Sequence, residues 1–326
     1  MKTLLFTFIF SFFLSVPIFA SNKTTANKIQ DSYYNTLSKI EDNNLIEIEY
    51  EIEKRWEKIK SKNTFEPYSK KSKKQIHKEF SKIKALRNKL WYRNPNNGSP
   101  VRNKDYSISD KLIKKGDYKK TSPHLAFDYN CVNNAYNASH ILIHGHHFIA
   151  LESPSTNNLN EFFDLLLDQN TSALIRLKPE REYLSDKRSL YWKLCSFEKN
   201  KDCLLIKPPK HSKNSHIPYY YSNSWKDNSV LDVKELYNLV NKVRKHYKIK
   251  KKKGPIACHC SIGVGRTGTF ISAYLIAEML DFLPPEKISI EEIVLKLSIQ
   301  RPNMVSVKGQ YALLYEFADY YLTQKN

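Results

Sequence analysis

One cysteine in this sequence, Cys260, lies where a thiol can become a nucleophile. It follows the short apolar run 255–258 and precedes the glycine-containing loop 261–266, after which a helical pattern begins. Backbone N–H groups in such a loop converge on one point, and the positive end of the helix dipole adds to them. The field that binds a phosphoryl group there also stabilises a thiolate. Cys260 is therefore predicted to be an ionised nucleophile at neutral pH.

Neighbouring side chains suit the transfer of a phosphoryl group to that sulfur. Arg266 can donate a bidentate pair of hydrogen bonds to phosphate oxygens, which a lysine cannot reproduce. Thr267 can donate its hydroxyl to the thiolate and ease its departure in a second step. His259 is predicted to order the loop rather than to act as a base, because the cysteine would already be ionised. The remaining loop residues are predicted to bind the phosphoryl group, namely Ser261, Ile262, Gly263, Val264 and Gly265.

The elements around this loop alternate between strand and helix patterns. Short apolar runs at 173–177 and 255–258 are typical of buried strands. They alternate with helical patterns at residues 159–167, 233–247 and 267–280. Such alternation predicts an α/β fold, in which helices cover both faces of a sheet. Cys260 then lies at a junction between a strand and a helix.

Residues 259–268, His-Cys-Ser-Ile-Gly-Val-Gly-Arg-Thr-Gly, resemble the signature loop of the classical protein tyrosine phosphatases. The resemblance implies the fold of that family, a highly twisted mixed β-sheet flanked by helices on both faces. It also implies hydrolysis of phosphotyrosine in proteins through a phosphocysteine intermediate. That chemistry needs no metal and no organic cofactor, because the thiolate, the arginine, the backbone amides and an acid suffice.

The acid is expected upstream of the cysteine. A leaving phenolate must be protonated, and a carboxylic acid on a mobile loop can do this. Residues 225–230, Trp-Lys-Asp-Asn-Ser-Val, resemble the tryptophan–proline–aspartate loop of the family. The resemblance makes Asp227 the general acid, which later acts as a base toward water. Lys226 stands where the family has proline, and this change is expected to alter loop closure without removing the acid.

Further segments extend the resemblance over roughly residues 75–322. Residues 136–139 resemble the "YINAS" segment, and residues 152–154 stand where the family has a "QGP" turn. Residues 182–192, which include Lys187, resemble the loop that supports the acid. Near the end, residues 300–311 resemble the "QRPxMVQTxxQY" segment.

Two departures from the family pattern affect the predicted mechanism. Ser306 replaces the glutamine that orients the hydrolytic water, whereas Gln310 matches the second glutamine of that segment. We therefore hypothesise that Ser306→Gln speeds dephosphorylation of the intermediate. The Asn-Arg-Tyr run for substrate recognition is matched only in part, by residues 91–94. Tyr92 is the candidate for the ring that stacks on the substrate, with a buried core tyrosine as the alternative.

The N-terminal residues have a different composition. Residues 1–20 are typical of a signal peptide, with Lys2 before an apolar stretch and Ala20 at its end. An uncleaved anchor is the alternative. Residues 21–74 are predicted to form a basic, largely helical extension, and residues 75–326 the catalytic domain. The extension is interpreted either as a solvated helical spacer or as an arm that binds a partner. We expect the protein to be exported, and so secreted or periplasmic, with delivery into another cell as a further hypothesis typical of bacterial effectors.

The cysteine count agrees with a reactive thiol. An odd number of cysteines in an exported chain leaves at least one thiol unpaired or shared between molecules. Their spacing does not suggest a metal site, because only Cys258 and Cys260 are close and no second pair completes a tetrahedral set. The cysteines are Cys131, Cys195, Cys203, Cys258 and Cys260.

The formal charge of +20 indicates either a lysine-rich surface or attraction to an anionic partner. A phosphotyrosine-containing protein is the expected partner, with an acidic phospholipid surface as a second candidate. No specific nucleic acid is expected, because only charge supports it. Two other functions stay open at this point: a dual-specificity or phosphoinositide phosphatase, and a non-catalytic module that binds phosphotyrosine.

Overall fold

The computed structural model describes residues 43–90, 126–133, 136–185, 190–199, 204–208, 216–250 and 254–325. The predictions for the signal peptide, for residues 21–42, for Tyr92 and for Lys187 lie outside these residues. Within the described ranges, none of the helices combines the length and the apolar character needed to cross a membrane.

Regular structure accounts for most of the described chain. The strands are β1 (Ala138–Ile143), β2 (His146–Leu151), β3 (Ala173–Arg176), β4 (Ser196–Lys199), β5 (Leu204–Lys207), β6 (Ile217–Tyr221) and β7 (Ile256–His259). The α-helices are α1 (Asn43–Lys60), α2 (Lys73–Leu90), α3 (Leu159–Asp168), α4 (Glu180–Ser185), α5 (Val233–Lys250), α6 (Gly265–Phe282), α7 (Ile290–Gln300) and α8 (Lys308–Lys325). Short 3₁₀ turns cover Asp128–Asn130, Tyr191–Leu194 and Pro285–Lys287.

All seven strands belong to one mixed sheet with the order β1-β2-β7-β3-β6-β5-β4. The four central strands β2, β7, β3 and β6 run parallel to one another. The outer strands β1, β5 and β4 are antiparallel to theirs. This sheet confirms the predicted α/β fold class.

The central parallel strands bring three chain segments to one edge of the sheet. Carboxyl ends of parallel strands meet at the same edge, where ligands bind in open α/β sheets. β7 ends at His259 and leads directly to Cys260. Its neighbour β3 leads to α4, and β6 leads to the segment that contains Asp227. Three neighbouring strands thus place the predicted nucleophile and acid on the same side of the molecule.

Helices pack on both faces of the sheet and enclose two cores. On one face α3 buries Phe162, Phe163 and Leu166 in a smaller core. The larger core on the other face contains side chains of α5, α6, α7 and α8. β7 contributes to both, since Ala257 lies in the smaller core and Cys258 in the larger one. Cys258 is therefore a buried packing residue, as its side chain is not exposed.

The helices α1 and α2 are part of the larger core. Ile52, Trp56 and Ile83 are almost completely buried there, and α1 and α2 both contact α7. The interpretation of this region as a solvated spacer is therefore wrong for residues 43–60. Their apolar residues recur at helical spacing, and the side that carries them covers α7. The position of the domain boundary stays a prediction, and residue 75 lies inside α2.

Candidate active site

The Cys260 thiol lies at the carboxyl end of β7, and the residue is only 2% exposed. Burial alone would raise the pKa of this thiol. Three features outweigh burial and lower this pKa. They are the positive charge of Arg266, the Thr267 hydroxyl, and the backbone N–H groups of Val264 and Thr267. The Thr267 hydroxyl forms no well-aligned hydrogen bond within the described residues, so it remains available to the sulfur. Cys260 is thus stabilised as a thiolate by the loop that surrounds it.

The loop at residues 259–266, called the nucleophile loop below, is fixed by bonds to its carbonyl groups. Ser153 donates from its backbone N–H and its hydroxyl to the Ser261 carbonyl, over 3.0 and 3.2 Å. Arg301 donates to the carbonyls of Ile262 and Gly263, each over 2.9 Å. These carbonyls are engaged on the outside of the loop. The N–H groups of the loop are therefore left to face the thiol and any anion bound beside it.

Glycine is required at two positions for this loop to form. Gly263 has a φ of +70°, and a Cβ there would lie 2.2 Å from the Leu151 carbonyl oxygen. At Gly268 a Cβ would lie 2.5 Å from the Val305 nitrogen. Any larger residue at either site must displace backbone, so the nucleophile loop approaches the end of β2 at Gly263, and the first turn of α6 approaches the loop before α8 at Gly268.

Arg266 connects four segments of the site. Its side chain is 1% exposed, and Nη1 donates to the Glu182 carboxylate over 2.8 Å and to the Trp225 carbonyl over 2.9 Å. Nη2 donates to Asp227 Oδ1 and to Ser261 Oγ, each over 2.9 Å. The buried Nε has no hydrogen-bond partner among the described residues. A buried cationic donor without a partner is costly, and an incoming phosphate oxygen would satisfy it.

Residues 225–230, called the acid loop below, carry Asp227 over the nucleophile loop. The Trp225 ring is fully buried, and its Nε1 donates to the Ser229 carbonyl over 3.1 Å. Asn228 takes a φ of +52°, which turns the chain directly after the acid. The backbone N–H of Asp227 donates to Glu182 over 2.7 Å. Glu182 therefore holds both the acid and the arginine.

His259 stabilises the loop from below. Its Nε2 lies 2.9 Å from the Tyr191 hydroxyl, and its Nδ1 lies 3.2 Å from the Cys260 carbonyl oxygen. Burial lowers the pKa of His259 to about 3, and nearby cations contribute. The imidazole is neutral, and its hydrogen bonds connect the loop to Tyr191, while the ordering role of His259 stays a prediction.

Ser306 and Gln310 lie beside the start of α6. A Cβ at Gly265 would be 2.5 Å from Ser306 Oγ and 3.0 Å from Gln310 Oε1. The two side chains are 3.5 Å apart, and Gln310 Nε2 also donates to the Ser229 carbonyl over 3.4 Å. Gln310 therefore lies between the nucleophile loop and the acid loop, where it can contact a water that attacks a phosphocysteine.

The structure brings most of the predicted site residues together, with Tyr92 and Lys187 outside the described ranges. Sequence analysis did not assign roles to Glu182, Arg301 or Ser153. Each lies in a segment that resembles the family, but nothing local indicates its partner. The contact between Glu182 and Arg266 spans 84 residues, and that between Arg301 and Gly263 spans 38.

The described residues contain no group of three or more His, Cys, Asp or Glu side chains arranged to hold a metal ion. In the described part of the chain Cys195, Cys258 and Cys260 are free thiols. The site consists of the Cys260 sulfur, a guanidinium group, backbone amides and the carboxyl group of Asp227.

Comparison with known sequences agrees with this arrangement. Residues 199–320 match the family described as protein-tyrosine phosphatase. Receptor-type tyrosine-protein phosphatase epsilon of Rattus norvegicus is 28% identical over 201 residues, which cover 54% of this chain and 28% of that protein. Tyrosine-protein phosphatase 2 of Dictyostelium discoideum is 25% identical over 192 residues, or 52% of this chain and 50% of that protein. The chain thus matches between about a quarter and a half of the length of these two relatives.

Solved structures share the fold. A structure of PTPN18 in complex with HER2-pY1196 phosphopeptides has a TM-score of 0.58 and 21% identity, and the match covers 76% of this chain and 93% of that chain. The protein tyrosine phosphatase TcPTP1 of Trypanosoma cruzi has the same TM-score at 18% identity, with 77% of this chain and 91% of that chain covered. Residues 199–320 are thus similar to the protein-tyrosine phosphatase family, and the chain shares the fold of these solved structures.

Proposed function

We propose that this domain hydrolyses phosphotyrosine in proteins through a phosphocysteine intermediate, without a metal or an organic cofactor. The observation that carries the proposal is the surroundings of Cys260, where Arg266, the Thr267 hydroxyl and the backbone N–H groups of Val264 and Thr267 act on the sulfur and lower its pKa. A binding module would need the arginine and the amides but not an ionised thiol. The acid loop, which holds Asp227 on Arg266, adds the second group that catalysis needs.

In the first step the Cys260 thiolate attacks the phosphorus atom. A bond forms between sulfur and phosphorus, and the bond from phosphorus to the tyrosine oxygen breaks. The phosphoryl oxygens accept the hydrogen bond from Arg266 Nη2, which donates to Asp227 in the structure, and so displace Asp227 from the arginine. This exchange frees the Asp227 carboxylate, which takes up a proton from solvent and donates it to the leaving phenolate oxygen. Arg266 and the loop amides stabilise the charge on the equatorial oxygens.

In the second step a water molecule attacks the phosphocysteine. Asp227, now a carboxylate, takes a proton from this water, and the bond between sulfur and phosphorus breaks. The Thr267 hydroxyl stabilises the departing thiolate, since it is near the sulfur and helps to lower its pKa. Gln310 and Ser306 are the side chains close to the loop that can orient the water. Inorganic phosphate and the free thiolate complete the cycle.

Tyrosine is the preferred phosphoamino acid in this proposal. The support comes from the relatives, which are named as tyrosine-protein phosphatases, and from the PTPN18 structure, which contains a phosphotyrosine peptide. A substrate protein is accordingly the proposed partner.

The test is turnover of a phosphotyrosine peptide by the full chain under reducing conditions. Cys260→Ser should abolish phosphate release while the peptide still binds, because the arginine and the amides remain. Phosphoserine peptide and a phosphoinositide serve as parallel substrates. Faster turnover of either would favour the broader phosphatase. Peptide binding by the wild type without any phosphate release would instead favour the binding module.

We further propose that the protein is exported, either secreted or periplasmic. The support is the sequence pattern of residues 1–20. N-terminal sequencing of the protein from the medium or envelope should begin at Ser21. Recovery of an intact chain from the cytosol alone would overturn the proposal. Delivery into another cell is the narrower version, and detection only in the producer's own envelope would defeat it.

A further inference from the structure

An arginine from the N-terminal helices reaches the loop that carries Ser306. Arg87 lies near the end of α2 and is 2% exposed. All three nitrogens of its guanidinium group donate hydrogen bonds, and this arrangement is called the guanidinium fork below. Nη1 donates to the Val305 carbonyl over 3.1 Å, and Nη2 donates to the Met304 carbonyl. Nε donates to Ser298 Oγ on α7 over 3.0 Å. The three donors together tie α2 to α7 and to residues 304–305.

The burial of this arginine has a cost that packing alone does not explain. Burial lowers the pKa of Arg87 to about 9, so the group is still charged near neutral pH. Its hydrogen-bond acceptors in the described structure are two backbone carbonyls and one hydroxyl, all of them uncharged. An apolar residue would fill this space without the desolvation of a charge. The guanidinium fork instead fixes two consecutive carbonyl groups in space.

Those carbonyls belong to a strained segment. Val305 has a φ of +60°, which is rare for any residue other than glycine and costly for a β-branched one. Its N–H donates to the Val264 carbonyl of the nucleophile loop over 3.3 Å. Val305 is therefore held from one side by Arg87 and from the other by the nucleophile loop. A conformation of this kind persists only where its surroundings hold it in place.

The residue after Val305 is Ser306, whose Oγ would be 2.5 Å from a Cβ at Gly265. Any relaxation of Val305 would move Ser306 relative to the loop that carries Cys260. Gln310 would follow, because its side chain contacts Ser306 and the acid loop. The first chemical step uses Cys260, Arg266 and Asp227, none of which Arg87 touches in the described structure.

We propose that Arg87 is a positioning residue for the second step of the reaction, which holds Val305 in its left-handed conformation so that Ser306 and Gln310 can orient the hydrolytic water. This inference rests on the proposed function. It predicts that loss of the guanidinium fork slows breakdown of the phosphocysteine and leaves its formation nearly unchanged.

The test is rapid mixing of the full chain with an aryl phosphate whose phenolate product absorbs light. Arg87→Gln should lower the steady-state kcat by about 10- to 100-fold, the range expected when a reacting group is misplaced. The rate constant of the first phenolate release should stay near that of the wild type, and the burst amplitude should approach one phenolate per active site. Arg87→Lys keeps the charge without the fork, and its kcat should lie between that of the wild type and that of Arg87→Gln.

The matched control is Arg244→Gln. Arg244 is also buried, but it bonds to Glu278 over 2.6 Å on the far side of α6, away from the site residues that the structure describes. Arg244→Gln should lower the melting temperature without changing the ratio of the rate constants for formation and breakdown of the phosphocysteine. If Arg87→Gln slowed both steps in proportion, or changed the ratio no more than the control does, the positioning role would be overturned.

A second variant keeps the test decisive if Arg87→Gln folds poorly. Glycine takes a positive φ without strain, so in Val305→Gly the hydrogen bonds from Arg87 should be less necessary to hold this conformation. The double variant Arg87→Gln/Val305→Gly should recover part of the lost kcat and of the melting temperature, and no recovery would count against the proposal. A wild-type chain that releases no phenolate at all would instead refute the proposed function.

Discussion

The nucleophile loop and the acid loop carry the two chemical groups of the site, and they are held in opposite ways. In the nucleophile loop Cys260 and Arg266 are at most 2% exposed, and the carbonyls of residues 261–264 accept hydrogen bonds from other parts of the chain. In the acid loop the side chain of Asp227 is 58% exposed, and Val230 is 52% exposed. Much of its hydrogen bonding is internal, between Trp225, Lys226 and Ser229.

This difference suits the two tasks. A thiolate and its anion site must be organised before the substrate arrives, since electrostatic stabilisation depends on dipoles that need no rearrangement. An acid that must release Arg266 and then meet a phenolate oxygen benefits from a segment with few external contacts. Changes in the nucleophile loop should therefore affect every substrate. Changes in the acid loop should depend on the leaving group.

The largest effect is expected for Arg266→Lys. A lysine cannot reproduce the fork that contacts Glu182, Trp225, Asp227 and Ser261, nor a bidentate bond to phosphate. We expect kcat/KM to fall by about 10³-fold for every substrate, as for the loss of a preorganised charge-stabilising donor. Steady-state assays across several aryl phosphates check this. Arg181→Lys, on the exposed side of α4, is the control. A loss of less than tenfold would argue that the arginine does not contact the phosphoryl group.

Asp227→Asn should have the next largest effect, and that effect should depend on the leaving group. For phosphotyrosine peptide we expect kcat to fall by about 10²-fold, which is typical for the loss of a general acid. For an aryl phosphate whose phenolate leaves without a proton, the rate of phosphocysteine formation should fall much less. The acidic limb of the pH profile should remain, because Cys260, whose pKa is lowered, becomes protonated as the pH falls through its pKa. Equal losses for both substrates would remove Asp227 from the role of acid.

Glu182→Gln tests the link between the two loops. The substitution removes the charge that faces Arg266 and leaves one accepting oxygen, so the bonds from Arg266 and from the Asp227 N–H group cannot both be kept. We expect kcat for phosphotyrosine peptide to fall about tenfold, the equivalent of one charge-assisted hydrogen bond. The control is Glu180→Gln on the same helix, which loses only an exposed pair with Lys193. An unchanged kcat would mean that the acid loop is held without Glu182.

Much of the fold was predictable because strands and helices have local periods. The strand predicted at residues 255–258 is observed at Ile256–His259, and the helix predicted at 267–280 at Gly265–Phe282. The packing of α1 was not predictable. The spacing of its apolar residues indicates a helix with one apolar face, but not which surface covers that face. The hairpin of β4 and β5 was also missed, since its residues are short of the buried, β-branched character that marks a strand.

The site residues also divide into those that local sequence predicts and those that only the fold brings together. Cys260, Arg266 and Thr267 are close in sequence, so one segment predicts their common chemistry. Asp227 was found through a short resemblance and its order along the chain. Glu182 and Arg301 were not assigned, because their roles arise only when distant segments meet. Arg87 is the extreme case, with a partner 218 residues away.

The smallest effect is expected for Ser306→Gln, at the point where the two loops meet. Serine offers one hydroxyl beside the nucleophile loop, whereas a glutamine carboxamide adds a donor and an acceptor that can hold a water at a fixed angle. We expect breakdown of the phosphocysteine to become several-fold faster, while its formation stays unchanged. Rapid mixing should therefore show a smaller burst and a higher steady-state rate, with Ser306→Ala as the control that gains neither. An unchanged burst would mean that Gln310 alone orients the water, and the site would then tolerate the family's missing glutamine without loss.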